Sequence, residues 1–184
     1  MEGLVLVTPP STPAVSLEAA KRWLSLNVDD EDDDVADLVS AAEEAAWNYG
    51  LSTCQATWRY ALDCFPCVIH PPLYPLVSVT SVTYPDTAGT TQTVSASVYS
   101  VYTDGHPGRI APAYGKTWPA SRTQPEAVKV TFVAGYAAAA DIPQRVRQAI
   151  RIMVRHWYDN PDGEREVPDA ARNLLLQCWS GYLR

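Results

Sequence analysis

The sequence predicts an α+β fold: a four-helix, mostly antiparallel helical bundle with an inserted antiparallel β-sheet region. Three observations carry that expectation. Apolar residues recur at helical spacing near both ends of the chain, they alternate with a period of two between Gln55 and Tyr136, and a glycine at 135 joins the last strand to the longest helix. The expected organisation is an extended N-terminal arm over residues 1–15, a helical domain from 16–54 and 137–184, and a β insertion over 55–136.

The arm contains Thr8-Pro9-Pro10-Ser11-Thr12-Pro13, whose three prolines fix φ, remove donors and forbid a helix. Ser16 is then a good N-cap for a short helix from Leu17 to about Leu26 that buries Leu17, Ala20 and Leu24, with Asn27-Val28 breaking it. The six acids Asp29 to Asp34 precede Val35, Leu38, Val39, Ala42, Ala46 and Tyr49, so they open a second helix. Carboxylates in a first turn face the positive end of the helix dipole and suit free N–H groups. Gly50 ends that helix at the usual place for a left-handed residue.

From Gln55 onward Thr, Val, Tyr and Pro dominate, and the helical period disappears. Trp58, Tyr60 and Leu62 alternate, then Val77 and Val79, then Val82 and Tyr84 in the opposite phase, which predicts a bulge near Thr80-Ser81. Tyr84-Pro85-Asp86-Thr87-Ala88-Gly89-Thr90 reads as a hairpin connection into Thr91 to Val94. Short strands around Val98 to Tyr102 and Arg109 to Ala111 flank the turn Asp104 to Gly108. Val128, Val130 and Phe132 alternate with Lys129 and Thr131 in the closing strand.

After Gly135, Ile142-Pro143 opens a helix with Val146, Ala149, Ile150, Met153, Val154 and Trp157 on one side and Arg147, Arg151 and Arg155, four apart, on another. Asp159-Asn160-Pro161-Asp162-Gly163 is a turn. A last helix starts at Pro168 and carries Ala171, Leu174, Leu175, Cys178, Trp179 and Tyr182.

The formal charge is −7, unevenly placed: residues 1–50 hold eleven acids against two bases, and the remainder is close to neutral. That balance disfavours a nucleic-acid ligand, because affinity for phosphates comes mainly from Lys and Arg. No apolar run approaches a membrane span, and Met1-Glu2-Gly3-Leu4 lacks the basic start and long apolar core of a secretory signal. Synthesis in a cytoplasm is expected, with Cys54, Cys64, Cys67 and Cys178 as free thiols.

Signs of chemistry are few. Cys64-Phe65-Pro66-Cys67 has redox or zinc spacing, and Cys54 and His70 lie near it in sequence. However, the pair follows a strand rather than opening a helix, and the spacings match no standard finger. The acidic run lacks the central glycine and the twelfth-position Glu of a calcium loop. His70, His106 and His156 fall in a loop, a turn and a helix. No nucleophile elbow, phosphate loop or carboxylate pair stands out, so no enzyme, cofactor or metal is expected. Six tryptophans and ten tyrosines, together with the arginine stripe, are the residue types of interface hot spots. A β-rich partner- or carbohydrate-binding module is the alternative reading, with a Cys-based metal protein behind it.

A collinear set of segments carries a resemblance. Thr8-Pro9-Pro10, Leu17-Glu18-Ala19, the acidic turn into Leu38-Val39-Ser40-Ala41-Ala42-Glu43, Gln55-Ala56-Thr57-Trp58, Pro75-Leu76-Val77-Ser78-Val79, Ile110 to Pro119, Val128 to Tyr136 and Pro143 to Tyr158 together resemble the head–tail connector (adaptor) family of tailed bacteriophages and gene transfer agents. The resemblance implies a structural virion protein at the head–tail junction, docked as a homo-oligomeric ring beneath the portal protein. It would link the DNA-filled capsid to the stopper or tail-completion protein, and DNA would pass through the channel without specific binding or any membrane. The residues expected at a subunit or portal interface are Arg147, Arg151, Arg155, Asp32 and Asp33, with Trp179, Tyr182 and Leu183 at the C-terminus. The family is built on a helical bundle, and this chain departs from it by its large β insertion.

Overall fold

A computed structural model describes residues 3–27, 29–161, 163 and 165–180, apart from the side chains of Trp179 and Ser180. The chain forms two compact units, Met1–Pro10 with Gln55–Gly135, and Ser11–Cys54 with Tyr136–Arg184.

The first unit is built on strands. Its seven strands among the described residues are β1 (Gly3–Thr8), β2 (Ala56–Leu62), β3 (Leu76–Pro85), β4 (Thr91–Thr93), β5 (Tyr99–Tyr102), β6 (Arg109–Pro112) and β7 (Val128–Ala134). Five form an antiparallel sheet in the order β1-β2-β7-β3-β4, while β5 and β6 pair separately. The register between β2 and β7 sets Trp58 beside Phe132, Tyr60 beside Val130 and Leu62 beside Val128. All six are buried, whereas Arg59 and Lys129, on the opposite face, are exposed. This is the period of two at work: β-branched and aromatic side chains line one face and charge stays on the other. The bulge expected near Thr80-Ser81 is present as a register shift between Val79 and Ser81.

The hairpin from β3 to β4 is organised by Asp86. Its Oδ1 accepts the N–H groups of Ala88 and Thr90 at 3.0 and 2.9 Å, and its Oδ2 accepts Gln92 Nε2 at 3.0 Å. These bonds, with the Gln92 amide first among them, hold the Asp86 carboxyl below its usual range. At the exit from β7, Gly135 has φ 119 and donates its N–H to Pro75 O at 2.9 Å, a backbone state that a side chain would strain.

The second unit is helical: α1 (Leu17–Leu24), α2 (Asp32–Trp47), α3 (Gln144–Asp159) and α4 (Asp169–Ser180), with a 3-10 turn at Ala139–Asp141. Ser16 caps α1, its hydroxyl accepting the Ala19 N–H at 3.3 Å. In α3 the six apolar positions predicted to face inward, Val146 through Trp157, are all buried. In α2 Val35, Leu38, Val39, Ala42 and Ala46 are buried too, and so is Glu43. Gly50 takes the left-handed conformation (φ 75) just past α2, with its N–H on Trp47 O at 2.9 Å.

The predicted four-helix bundle with a β insertion is not the fold that forms. Among the described residues the protein is α+β, with four helices, a five-stranded antiparallel sheet and a two-stranded one. The helix expected to run to about Leu26 stops at Leu24, where Ser25 turns left-handed (φ 64), so α1 has only two turns; Leu17, expected to be buried, is half-buried. α3 touches α1, α2 and α4, so it is the hub of the unit. Helical periodicity reveals which stripe of each helix is buried but not which neighbour buries it, and four stripes read in isolation suggest a symmetry that packing does not adopt. Of the segment expected as an arm, Gly3–Thr8 are hydrogen-bonded to β2 as β1, and Ala14 and Val15 are buried.

Candidate interaction surfaces

Two charged regions occupy the two ends of α3 within the helical unit. Toward its N-terminal half, Arg147 and Arg151 are half-buried, and Arg155, a turn further on, is exposed. Arg147 Nη2 donates to Gln144 Oε1 at 2.6 Å, while the Nε atoms of Arg147 and Arg151 are buried without a hydrogen-bond acceptor. Neither guanidinium has a carboxylate within ion-pair distance among the described residues. Arg155 is spoken for: its Nε donates to Asp159 Oδ2 at 2.7 Å and its Nη1 to Leu24 O at 3.4 Å, the negative C-terminal end of α1. The stripe is therefore two unpaired cations and one paired one.

The acidic region sits at the other end of α3, roughly 15 Å along the helix from Arg147 at 1.5 Å per residue. Tyr158 O–H donates to Glu31 Oε2 at 2.6 Å, which lifts the phenol above its ordinary pKa. Lys21 bridges Asp29 and Asp32 at 2.6 and 2.5 Å. These hydrogen bonds, to Asp29 first and Asp32 second, raise the Lys21 pKa, and the bond to Lys21 lowers that of Asp29. Asp32 is thereby engaged within the molecule, whereas Asp33, Asp34 and Asp37 are exposed. Glu31, at the N-cap of α2, makes no side-chain capping bond, so the acids act on α2 through its dipole rather than as caps.

A cleft of about 430 Å³ opens beside this turn, lined by Glu31, Asp34, Asp37, Trp157, Tyr158 and Arg165. Three carboxylates against one guanidinium, over an aromatic wall, form a recess suited to a cationic side chain.

Aromatic residues gather in the sheet unit. Phe65 stacks on Trp118 with centroids 4.9 Å apart and meets Tyr84 edge-on at 5.5 Å, while Tyr99 lies 6.2 Å from Trp118. Elsewhere Trp58 and Trp157 are core residues, and the Trp157 indole donates to Glu166 O at 2.9 Å. Among the described residues Trp23, Tyr102 and Tyr114 are the exposed large rings, Tyr114 completely so at a turn tip.

The thiols and imidazoles stay apart. Cys64 and Cys67 are exposed and free, Cys54 is buried, and His70 and His156 are exposed. Burial beside Tyr74 pushes His106 below its ordinary pKa. Among the described residues no three His, Cys, Asp or Glu side chains come together in a way that could hold a metal. No described helix is long and apolar enough to cross a membrane. The predicted C-terminal contacts Tyr182 and Leu183, and the side chain of Trp179, lie outside the described residues.

Three features went unread in the sequence. Leu4-Val5-Leu6-Val7 is a short β-prone run stopped by Thr-Pro-Pro, signal enough for β1. Glu43 stands four residues after Val39 and three before Ala46, on the inward stripe of α2, so its burial was legible by spacing. The Lys21 clasp had no local signal, because its partners are eight and eleven residues away.

No protein-family model and no curated protein matches the chain by sequence. Its fold has counterparts among chains of gene transfer agent particles. A chain in the structure described as the neck of an empty gene transfer agent (GTA) particle computed with C6 symmetry has a TM-score of 0.78 and 23% identity, covering 96% of this chain and 94% of that chain. Similar chains come from the virion of a native GTA particle (TM-score 0.76, 22% identity, 95% and 93% covered) and from the neck of a native GTA particle computed with C12 symmetry (0.71, 22%, 95% and 93%). The protein shares the fold of these virion chains over nearly its whole length.

Proposed function

We propose that this chain is a non-enzymatic structural subunit of the neck of a phage-like particle, a head–tail connector that docks as a ring beneath the portal protein and links the DNA-filled capsid to the stopper and tail. The observation that carries the reading is the extent of the fold likeness: it takes in 95–96% of this chain, sheet unit and helical unit alike, and the neighbours include chains of particle necks. Two of those necks were computed with C6 and C12 symmetry, which suits a ring. The chain would be made in the host cytoplasm and reside at the head–tail junction.

A cyclic ring needs two different, mutually complementary surfaces on each subunit. The unpaired guanidinium groups of Arg147 and Arg151 supply one, with Arg155 at the rim. The acidic turn, with Asp33 exposed and Asp32 held by Lys21, and the carboxylate-lined cleft beside it supply the other. Trp179, Tyr182 and Leu183 form the proposed contact with the portal. A subunit with a formal charge of −7 suits a channel that lets DNA pass without holding it.

The test is loading onto purified cognate portal rings, read by co-sedimentation and by electron microscopy of the product. Wild-type protein should decorate the rings. The double change Arg147→Glu/Arg151→Glu should cut loading by about tenfold or more, the scale of close interfacial charge pairs, with circular dichroism unchanged. Wild-type protein that never binds portal rings refutes the connector reading. Full loading of the double variant refutes this placement of the subunit contact.

A further inference from the structure

Strand β1 forms one edge of the five-stranded sheet, and no backbone hydrogen bond joins it to any described segment except β2. The opposite edge, β4, is only three residues long, Thr91-Gln92-Thr93, all exposed. Proteins blunt their sheet edges by shortness, lysine, proline or bulges, and β4 uses the first of these. From Gly3 to Leu6, β1 uses none: the register is unbroken, and the residues are apolar and uncharged.

Side-chain rows reach this edge unfinished. Val82, Val130, Tyr60 and Leu4 lie side by side across four strands, as do Val79, Phe132, Trp58 and Leu6. Val130, Tyr60, Phe132 and Trp58 are buried, but Leu4 and Leu6 at the row ends are only half-buried. On the other face Val5 and Val7 are 45% and 50% exposed. A further strand with leucine on one face and valine on the other would complete both.

We infer that this edge docks a second copy of the chain, β1 against β1, antiparallel and centred on Val5. In that register each Leu4 stands opposite the second copy's Leu6, Val5 opposite its own equivalent, and Gly3 opposite Val7, so leucine meets leucine on one face and valine meets valine at the centre of the other. Alternatives match less well. A one-residue slip reverses every face. Centring on Leu6 sets Leu4 against Thr8 and runs the pairing into the irregularity between Leu6 and Thr8. Pairing with the second copy's β4 puts Thr and Gln on the leucine rows. The contact is two-fold and self-complementary, unlike a ring contact, so it belongs to the unassembled protein and stands whether or not the chain builds a neck.

The experiment uses the full chain in sedimentation and disulfide trapping. At ~100 μM the wild type should sediment at twice the 20.2 kDa of one copy and dissociate on dilution. Val5→Lys sets like charges directly opposite each other and should weaken the dimer by about tenfold or more, with circular dichroism unchanged because Val5 is exposed. In a Cys64→Ser/Cys67→Ser background, Val5→Cys should form a disulfide dimer, since facing residues of antiparallel strands lie within disulfide reach. Val7→Cys, facing Gly3, should not. A wild type monomeric throughout, an undiminished Val5→Lys dimer, or Val7→Cys trapping as readily as Val5→Cys each overturns the inference.

Discussion

Glu43 is the polar residue whose replacement says most about how the helical unit is held. It is 4% exposed, and its Oε1 accepts the N–H of Ala14, itself 3% exposed, in the segment that leads from Pro10 into α1. Burial raises the Glu43 pKa from the ordinary glutamate range, and the Ala14 N–H partly offsets this. Glu43→Ala strands the Ala14 donor away from water. That costs about 1–3 kcal/mol, and roughly 2–4 °C of Tm per kcal/mol for a chain of this size. Glu43→Gln keeps an acceptor for Ala14 and carries no titrating charge. The sign of the pH effect follows from the raised folded-state value. Native wild type holds this proton more tightly than unfolded chain, so the associated stability is complete below the unfolded pKa and is lost as pH rises through the folded one. Thermal melts of wild type and Glu43→Gln from pH 4 to 7.5 should therefore show wild type losing ground to the variant as pH rises. Parallel pH profiles for the two proteins, or a Glu43→Ala variant as stable as wild type, would refute the reasoning.

The other two predictions concern one element of each unit. Phe132→Ala empties the centre of the buried sheet face, where Phe132 is fully inaccessible between Trp58 and Val79, and should cost about 3–5 kcal/mol, read as loss of near-ultraviolet dichroism and a lower denaturant midpoint. Ser16→Ala removes the hydroxyl that accepts the Ala19 N–H and should cost about 0.5–2 kcal/mol, with faster amide exchange in the first turn of α1 and little change in the sheet.

Local pattern made much of this protein legible. The inward residues of α3 were readable because one stripe of a long helix is apolar and its neighbours are arginine, and β7 because Val128, Val130 and Phe132 alternate with polar residues. The bulge in β3 was readable from a change of phase. The candidate surfaces were half legible. The arginine spacing identified a row and put Asp159 one turn after Arg155, but the bond from Arg155 to Leu24 O depends on where α1 runs. Likewise Asp32 reads as one of six equivalent acids until Lys21 selects it.

What the sequence determined by itself is the periodic content: which segments are helix or strand, which stripe of each is apolar, and where proline, glycine and serine end them. These properties depend on residues a few positions apart, so a window of one or two turns contains their causes. Tertiary structure alone decided the partners: that the first residues add a strand to a sheet whose next member begins at Ala56, that α3 is a hub rather than one of four equal helices, and that Glu43 rather than a surface acid reaches Ala14. Each is a contact between segments remote in sequence. An apolar stripe attracts any apolar surface with little preference, and only the whole chain's packing chooses among them.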